Sequence, residues 1–428
     1  MKKNNTAAAE NNNCNRKAGK KMHILIVSQY FHPETFRIND MAAEWVKRGC
    51  RVTVLTGIPN YPSGKFYKGY DWHHRRSEVW NGIEIIRIPI IPRGSSSIGL
   101  AVNYISFAAS GWIWKTAASI RPDLVFTFGI SPMTQALAGV WYAKKRHIPH
   151  FLYVQDLWPE NVELVTGIHN PVIIRPIEKM MDYIYRNTDQ IFVTSGSFVD
   201  AIVKRNKHVP RQKVHCWPQY AEEFYQPADT GTAVKEIPSD DSFKIAFTGN
   251  IGYAQGLDIL PRAAELLRKE NIRFIIIGDG RYMDELKQET IRRHVADKFI
   301  IIPRQNADRI PYFLAAADAA YLSCLDPDTI PAKVQSYMAC GKCLLASAGT
   351  EMKNLIEEAD CGICCRAGDE KALAKAVREL MSDKDRVRRQ GKNARKYFLS
   401  HFEKSKLMDE MDRYFSAALL KADRSKME

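Results

Sequence analysis

Short runs of β-branched and aromatic residues alternate with amphipathic stretches along nearly the whole chain, and this alternation restricts the fold more than any other feature. A first series of runs falls at 23–28, 51–56, 83–88, 124–128, 150–154 and 190–194, and a second at 244–248, 273–277, 299–302, 319–323 and 343–346. Strands separated by helices are expected to be parallel, because the intervening helix carries the chain back to the same end of the sheet. Two such series predict an α/β chain with two Rossmann-like domains. The length of 428 residues exceeds a usual single core, and an apolar fraction of 45% suffices for two. The expected divisions are a disordered tail over 1–21, with Met22 as an alternative start, and a first domain over 22–225. A linker follows over 226–241, where Pro, Gly, Thr and Asp mix, then a second domain over 242–395 and a C-terminal segment over 396–428 built on one long charged helix, 397–420. The tail lacks the apolar stretch of a signal peptide.

Two separated segments point to an anion site. Phe243-Lys-Ile-Ala-Phe-Thr-Gly-Asn-Ile-Gly-Tyr-Ala-Gln-Gly-Leu-Asp258 runs from an apolar strand into a turn with Gly249, Gly252 and Gly256, then into a helix pattern marked by Leu257, Leu260, Ala264 and Leu267. Glycine removes the Cβ that would hold a phosphate away from backbone N–H groups, and a helix N-terminus favours negative charge. In Thr329-Ile-Pro-Ala-Lys-Val-Gln-Ser-Tyr-Met-Ala-Cys-Gly341, Thr329 can cap a helix and Pro331 suits its first turn. Lys333 then puts a cation near the same end.

These segments, with Tyr30-Phe-His-Pro-Glu34, Arg48-Gly-Cys-Arg-Val-Thr-Val-Leu-Thr56, Asp156-Leu-Trp-Pro-Glu160 and Gly278-Asp-Gly280, resemble the retaining GT-B glycosyltransferases of family 4. Within that family the resemblance is to the WbuB-like branch acting in capsule, O-antigen and colanic acid synthesis. It covers nearly the whole chain from Met22 and implies two Rossmann-like domains facing a central cleft. It also implies a donor site of Gly249, Asn250, Gly252, Gln255, Gly256, Asp279, Arg304, Asp328, Thr329, Pro331, Gln335 and Ser336. Two departures stand out. Many relatives carry Arg and Lys where Asn250 and Gln255 stand, so the charge of a departing diphosphate needs other cations, with Lys333 first and Arg304 second. The second Glu of the family's Glu-x7-Glu motif is Ser336, with Gln335 before it and Asp328 at the earlier position, which weakens the expected ribose contact.

In the first domain, Asp156 and Glu160 flank Trp158 after a strand, where parallel sheets gather ligands. They are expected to orient sugar hydroxyls while the indole packs on a sugar face, and with Lys333 they form the expected catalytic set. Glu34, Arg37, Asn60 and Tyr61 are expected to line the same acceptor wall.

The formal charge of +14 suits diphosphates or anionic lipid, and no recognisable nucleic-acid module accompanies it. No apolar run is long enough to span a bilayer. The segment 98–120, broken by Asn103, Gly111 and Lys115, reads either as an interfacial helix or as a core helix of the first domain. Cys340-x2-Cys343 and Cys361-x2-Cys364 have zinc-like spacing, but they fall where a helix gives way to strands, which favours buried structural thiols. No Gly-x-Gly-x-x-Gly follows a strand, which argues against a nicotinamide enzyme. Asp326-Pro-Asp328 resembles a metal clamp of another glycosyltransferase fold, but its place suits loop capping or sugar contact.

The expectation is a glycosyltransferase using a nucleotide sugar, UDP-linked before GDP-linked, without metal or other cofactor. Its acceptor would be a saccharide on polyprenyl diphosphate, and its location cytoplasmic, with peripheral contact at the inner face of the plasma membrane. A UDP-amino-sugar epimerase of the same fold and a non-catalytic polysaccharide-assembly subunit are the alternatives.

Overall fold

The computed structural model describes residues 21–94, 96–229, 234–324 and 329–424. Residues 1–20 of the expected tail and the Asp326-Pro-Asp328 motif lie outside them. The chain divides into two compact units, one holding the residues up to Trp217 together with those from Asp409 onward, the other Pro218–Met408.

The sheet of unit 1 has eight strands: β1 (His23–Val27), β2 (Arg51–Gly57), β3 (Ser77–Trp80), β4 (Ile83–Ile88), β5 (Leu124–Gly129), β6 (His150–Val154), β7 (Gln190–Val193) and β8 (Val214–Cys216). Their order is β3-β4-β2-β1-β5-β6-β7-β8. All pairings are parallel except β3 with β4. Every residue of β1, β5 and β6 is buried, as a central strand covered on both faces requires. Unit 2 has six strands, β9 (Phe243–Asn250), β10 (Ile272–Asp279), β11 (Phe299–Ile302), β12 (Ala319–Ser323), β13 (Cys343–Ala348) and β14 (Gly362–Arg366). Their order, β11-β10-β9-β12-β13-β14, is wholly parallel. The order reverses direction between β1 and β5 and again between β9 and β12, and such switch points open a crevice at the carboxyl ends of the strands.

Three expectations need correction. The unit boundary falls at Trp217–Pro218, not within 226–241. Val234 and Ile237, read as linker, are buried with Ala221, Ile310 and Phe313 in the core of unit 2. The single helix expected over 397–420 is two, Lys384–His401 and Lys404–Arg424, interrupted where Phe402 turns into that same core beside Phe398. The thiols are split between the two faces of one sheet. Cys340 and Cys361 are buried in one layer, with Cys364 against it, while Cys343 belongs to the other layer with Phe247 and Leu345. Among the described residues no group of His, Cys, Asp and Glu is placed to hold a metal ion. Burial pushes the Cys340, Cys343 and Cys361 thiols up to about 12.

From Asp409 the last helix belongs to unit 1. Phe415 is fully buried there, with its ring 4.9 Å from Phe151, 5.5 Å from Trp45 and 6.1 Å from Phe126. Asp412, also buried, accepts from Trp45 Nε1 at 3.2 Å and Arg48 NH1 at 3.0 Å. Removing the ring leaves a cavity under three aromatic neighbours. Phe415→Ala is therefore expected to cost about 3–5 kcal/mol in unit 1. Denaturant unfolding followed by tryptophan fluorescence should show the loss; an unchanged midpoint would mean that the returning helix does not hold this unit.

Candidate functional site

The site of unit 2 is built where β9 and β12 part. Strand β9 ends at Gly249 and Asn250, in register with Gly278 and Asp279 of β10. Gly249 has φ +129°, which L side chains rarely adopt, and a Cβ on Gly278 would land on the Gly249 carbonyl. The loops are also stitched together: Ile251 N donates to Asp279 O, and Tyr282 N to Ile251 O. Glycine here lets two strand ends lie against each other and keeps the space above Gly249 clear of a side chain of its own.

Lys333 fills the edge of that space. It is the first residue of the helix Lys333–Ala339, and its Nζ donates to Gln255 Oε1 at 3.0 Å. The ammonium sits 3.9 Å from the Phe247 ring centroid, and a Cβ on Gly249 would stand 3.4 Å from Nζ. Burial pushes the group down to about 7, against a smaller opposing effect of Cys324. One helical turn on, Tyr337 OH accepts from Thr248 N at 2.8 Å, locking helix to strand. Sequence reading missed Tyr337 and Phe247, although the four-residue spacing from Lys333 puts Tyr337 on the same helix face.

The other expected donor residues are less uniform. Asn250 is exposed, with its amide beside Gly252, and Gly256 closes the short turn Tyr253–Gln255 in the left-handed region. The helix starts later than the sequence suggested: Ala332, not Thr329, holds the N-cap position and offers no capping side chain. Pro331 precedes that cap instead of opening the first turn. Gln335 and Ser336 are both buried, and Gln335 Oε1 has no hydrogen-bond partner among the described residues. Asp279 spends its carboxylate on its own turn, accepting from Gly280 N at 2.8 Å. Arg304 is exposed beyond β11, two strands from β9 and so roughly 10 Å away.

In unit 1 the expected acceptor residues brace loops at the strand ends. Glu34 is buried and accepts from Asn60 N at 2.7 Å and Tyr61 N at 2.6 Å. Burial outweighs those bonds and pushes its carboxyl up to about 7. Asn60 is buried as well, accepting from Arg93 N and donating to Ile58 O. Tyr61 is partly exposed, under the Arg93 guanidinium at 5.1 Å and against Tyr30 and Phe36. Arg37 opens the helix Arg37–Lys47 and is half-buried. Asp156 Oδ2 accepts from Ser131 N at 2.8 Å, whereas Glu160 is paired with Arg205 at 2.5 Å, so the two carboxylates have different partners. Trp158 corrects an expectation: it is buried beside Met133 and Leu157, and its Nε1 donates to Ser131 Oγ at 3.0 Å, so its ring is core and not a sugar platform. Sequence reading also missed Gln29, whose N–H donates to Gln135 Oε1 and whose amide donates to Asn103 Oδ1, both at 2.7 Å.

Two family models match the sequence, a glycosyl transferase 4-like domain over 35–218 and the group 1 glycosyl transferases over 231–397. Among solved structures, sucrose-phosphate synthase of Thermosynechococcus elongatus superposes with a TM-score of 0.74 at 15% identity, over 94% of this chain and 100% of that one. The chain is a glycosyltransferase of the GT-B fold and family 4. HepE of Anabaena, solved with UDP-glucose, matches the transferase with a TM-score of 0.68 at 14% identity, over 92% and 100% of the two chains. In sequence, the protein designated glycosyltransferase WbjE of Pseudomonas aeruginosa is 27% identical over 66% of this chain and 72% of its own. The Escherichia coli protein assigned to colanic acid biosynthesis as glycosyl transferase WcaI is 24% identical over 84% and 92%.

Holding Lys333 charged in this site costs folding free energy. Its pKa falls from its ordinary value to about 7 on folding, so the unfolded chain binds the extra proton between pH 7 and the ordinary lysine range near 10. The cost is complete below pH 7 and fades as pH rises through that window. Lys333→Met should therefore melt above the parent protein at pH 6, with the gap closing toward pH 10. A variant melting below the parent at every pH would show that Lys333 is there for structure.

Proposed function

We propose that the transferase moves a sugar, with retention at the anomeric carbon, from a UDP-linked donor to a saccharide carried on polyprenyl diphosphate in bacterial surface-polysaccharide synthesis. An N-acetylamino sugar is the favoured donor group, in line with the WbuB-like branch. The observation that carries the reading is the desolvated Lys333 ammonium beside Gly249, at the switch point of unit 2. HepE, with UDP-glucose in its structure, supports the donor class, and WbjE and WcaI support the setting.

Breaking a glycosyl–phosphate bond puts negative charge on the departing diphosphate. A cation already partly withdrawn from water is worth more there than a fully hydrated one. Gln255 holds the ammonium until a phosphate oxygen replaces its amide oxygen. Having no side chain of its own, Gly249 lets the phosphates come close to the backbone beside Lys333, and Gln335 Oε1, buried without a partner, is assigned to a sugar or ribose hydroxyl. On the acceptor side we assign orientation of the incoming hydroxyl to Asp156. Glu160 secures Arg205, and Glu34 fixes the loop bearing Tyr61. The reaction is proposed to need no metal or other cofactor, so turnover should survive exhaustive dialysis against EDTA.

Two substitutions separate the halves. Lys333→Met should weaken UDP binding measured by calorimetry at pH 6.5 by roughly one to two powers of ten and lower transfer with it. Asp156→Asn should leave UDP affinity within about twofold while transfer falls by about one to three powers of ten. Unchanged UDP affinity in Lys333→Met would remove the lysine from the donor site. Parent-rate transfer in Asp156→Asn would leave Asp156 as a loop brace.

A further inference from the structure

We propose that the helix Ser97–Ala117 of unit 1 lies on an anionic lipid surface with its outward apolar face in the interface. Its inward face is ordinary core: Asn103 and Phe107 are fully buried, and Gly111 packs so closely that a Cβ there would stand 2.6 Å from that of Ala138. The outward stripe is not ordinary. Ile98, Val102, Ile105, Ala109, Trp112 and Ile113 recur at spacings of three and four residues, the positions where a surface helix normally carries its charges. Ile98, Ile105 and Ile113 are 79%, 63% and 68% exposed. The helix holds no carboxylate, and Lys115 is its one charged residue. Four turns of apolar side chain facing water mark a surface that something covers.

Charge and aromatic placement choose the occupant. Residues 85–155 carry seven Lys and Arg and a single acidic residue, Asp123. Several of the cations gather at one end of the stripe. Lys145 Nζ donates to the Lys115 and Thr116 carbonyls at 2.8 and 3.1 Å, and Arg146 donates to Ala118 O. The Lys115 ammonium lies 3.1 Å from the Trp112 ring centroid, and Trp112 meets Trp141 edge to face at 4.9 Å. An apolar stripe with indoles and ammonium groups at its rim matches the boundary between lipid headgroups and acyl chains. A second copy of the chain would bring two basic rims together, which disfavours self-association. No helix among the described residues is long and apolar enough to cross a membrane, so this one lies on the surface.

The inward face connects the stripe to the acceptor side. Asn103 Oδ1 accepts from Gln29 just beyond β1, Tyr104 O accepts from Thr134 Oγ1, and the Tyr104 ring stands 6.3 Å from Trp158. A helix resting on lipid thus also braces the loops where a lipid-carried saccharide would be received. That last link rests on the acceptor proposed above, whereas adsorption to lipid does not.

The test is flotation of the full-length protein, without donor or acceptor, on vesicles of phosphatidylcholine alone and of phosphatidylcholine mixed with phosphatidylglycerol. The parent should float with the anionic vesicles and release as salt is raised. The triple variant Ile98→Ser, Ile105→Ser, Ile113→Ser should lose roughly tenfold or more in partitioning while keeping the parent affinity for UDP. A parent protein that stays below the anionic vesicles overturns the proposal. So does a parent dimer that the triple variant turns into monomer, which would assign the face to a second copy. Flotation without transfer to a lipid-linked saccharide would sink the acceptor reading alone, and transfer without flotation would sink the docking alone.

Discussion

A partly buried ammonium group given no ion-pair partner among the described residues is the constraint around which unit 2 is arranged. Burial of a charge is tolerable only where something compensates for lost hydration. Lys333 has the Gln255 amide oxygen and the face of Phe247, both neutral. Such a site is poorly satisfied when empty and well satisfied by an anion, so the free energy withheld in the empty state is returned on binding. The glycines around it serve the same end: Gly278 lets β9 and β10 approach closely, and Gly249 presents backbone without a side chain beside Lys333.

The substitutions that looked like weaknesses in the sequence become intelligible in this setting. With Gln255 in place of a second cation, the neighbour of Lys333 is an acceptor that aims it, not a like charge that would repel it. Ser336 in place of a carboxylate puts no acid on this helix to pair with Lys333 and compete with an incoming phosphate, and Tyr337 ties the helix to β9 through Thr248. Unit 1 follows a different plan. Its carboxylates are absorbed in holding loops: Glu34 grips the amides of Asn60 and Tyr61, Asp156 that of Ser131, and Glu160 reaches Arg205.

Much of this was legible in the sequence for a physical reason. Strands buried on both faces are mostly apolar, so β1, β6 and β12 announce themselves, and Leu257, Leu260, Ala264 and Leu267 mark the buried side of the helix Ile259–Leu266 and its flanks. The antiparallel edge strand Ser77–Trp80 was missed because it is only half covered and lacks that signal. Lys333 and the glycine turn were found because charge and glycine are locally conspicuous. The role of Trp158 was misread because a tryptophan between two carboxylates looks alike whether it faces a sugar or the core; only the hydrogen bond to Ser131 and the packing on Met133 decide it. The helix start at Lys333 was misplaced because Thr329 and Pro331 favour an earlier start that the tertiary structure does not use.

The central claim is that Lys333 is largely neutral at alkaline pH until a nucleoside diphosphate restores its charge. Calorimetry of UDP binding at pH 8 in buffers of different ionisation enthalpy counts the protons exchanged. The parent should take up most of one proton per UDP bound, since the pKa near 7 rises as the phosphates approach, and any binding left in Lys333→Met should take up none. Equal proton uptake by the two proteins, or none by the parent, would contradict the account.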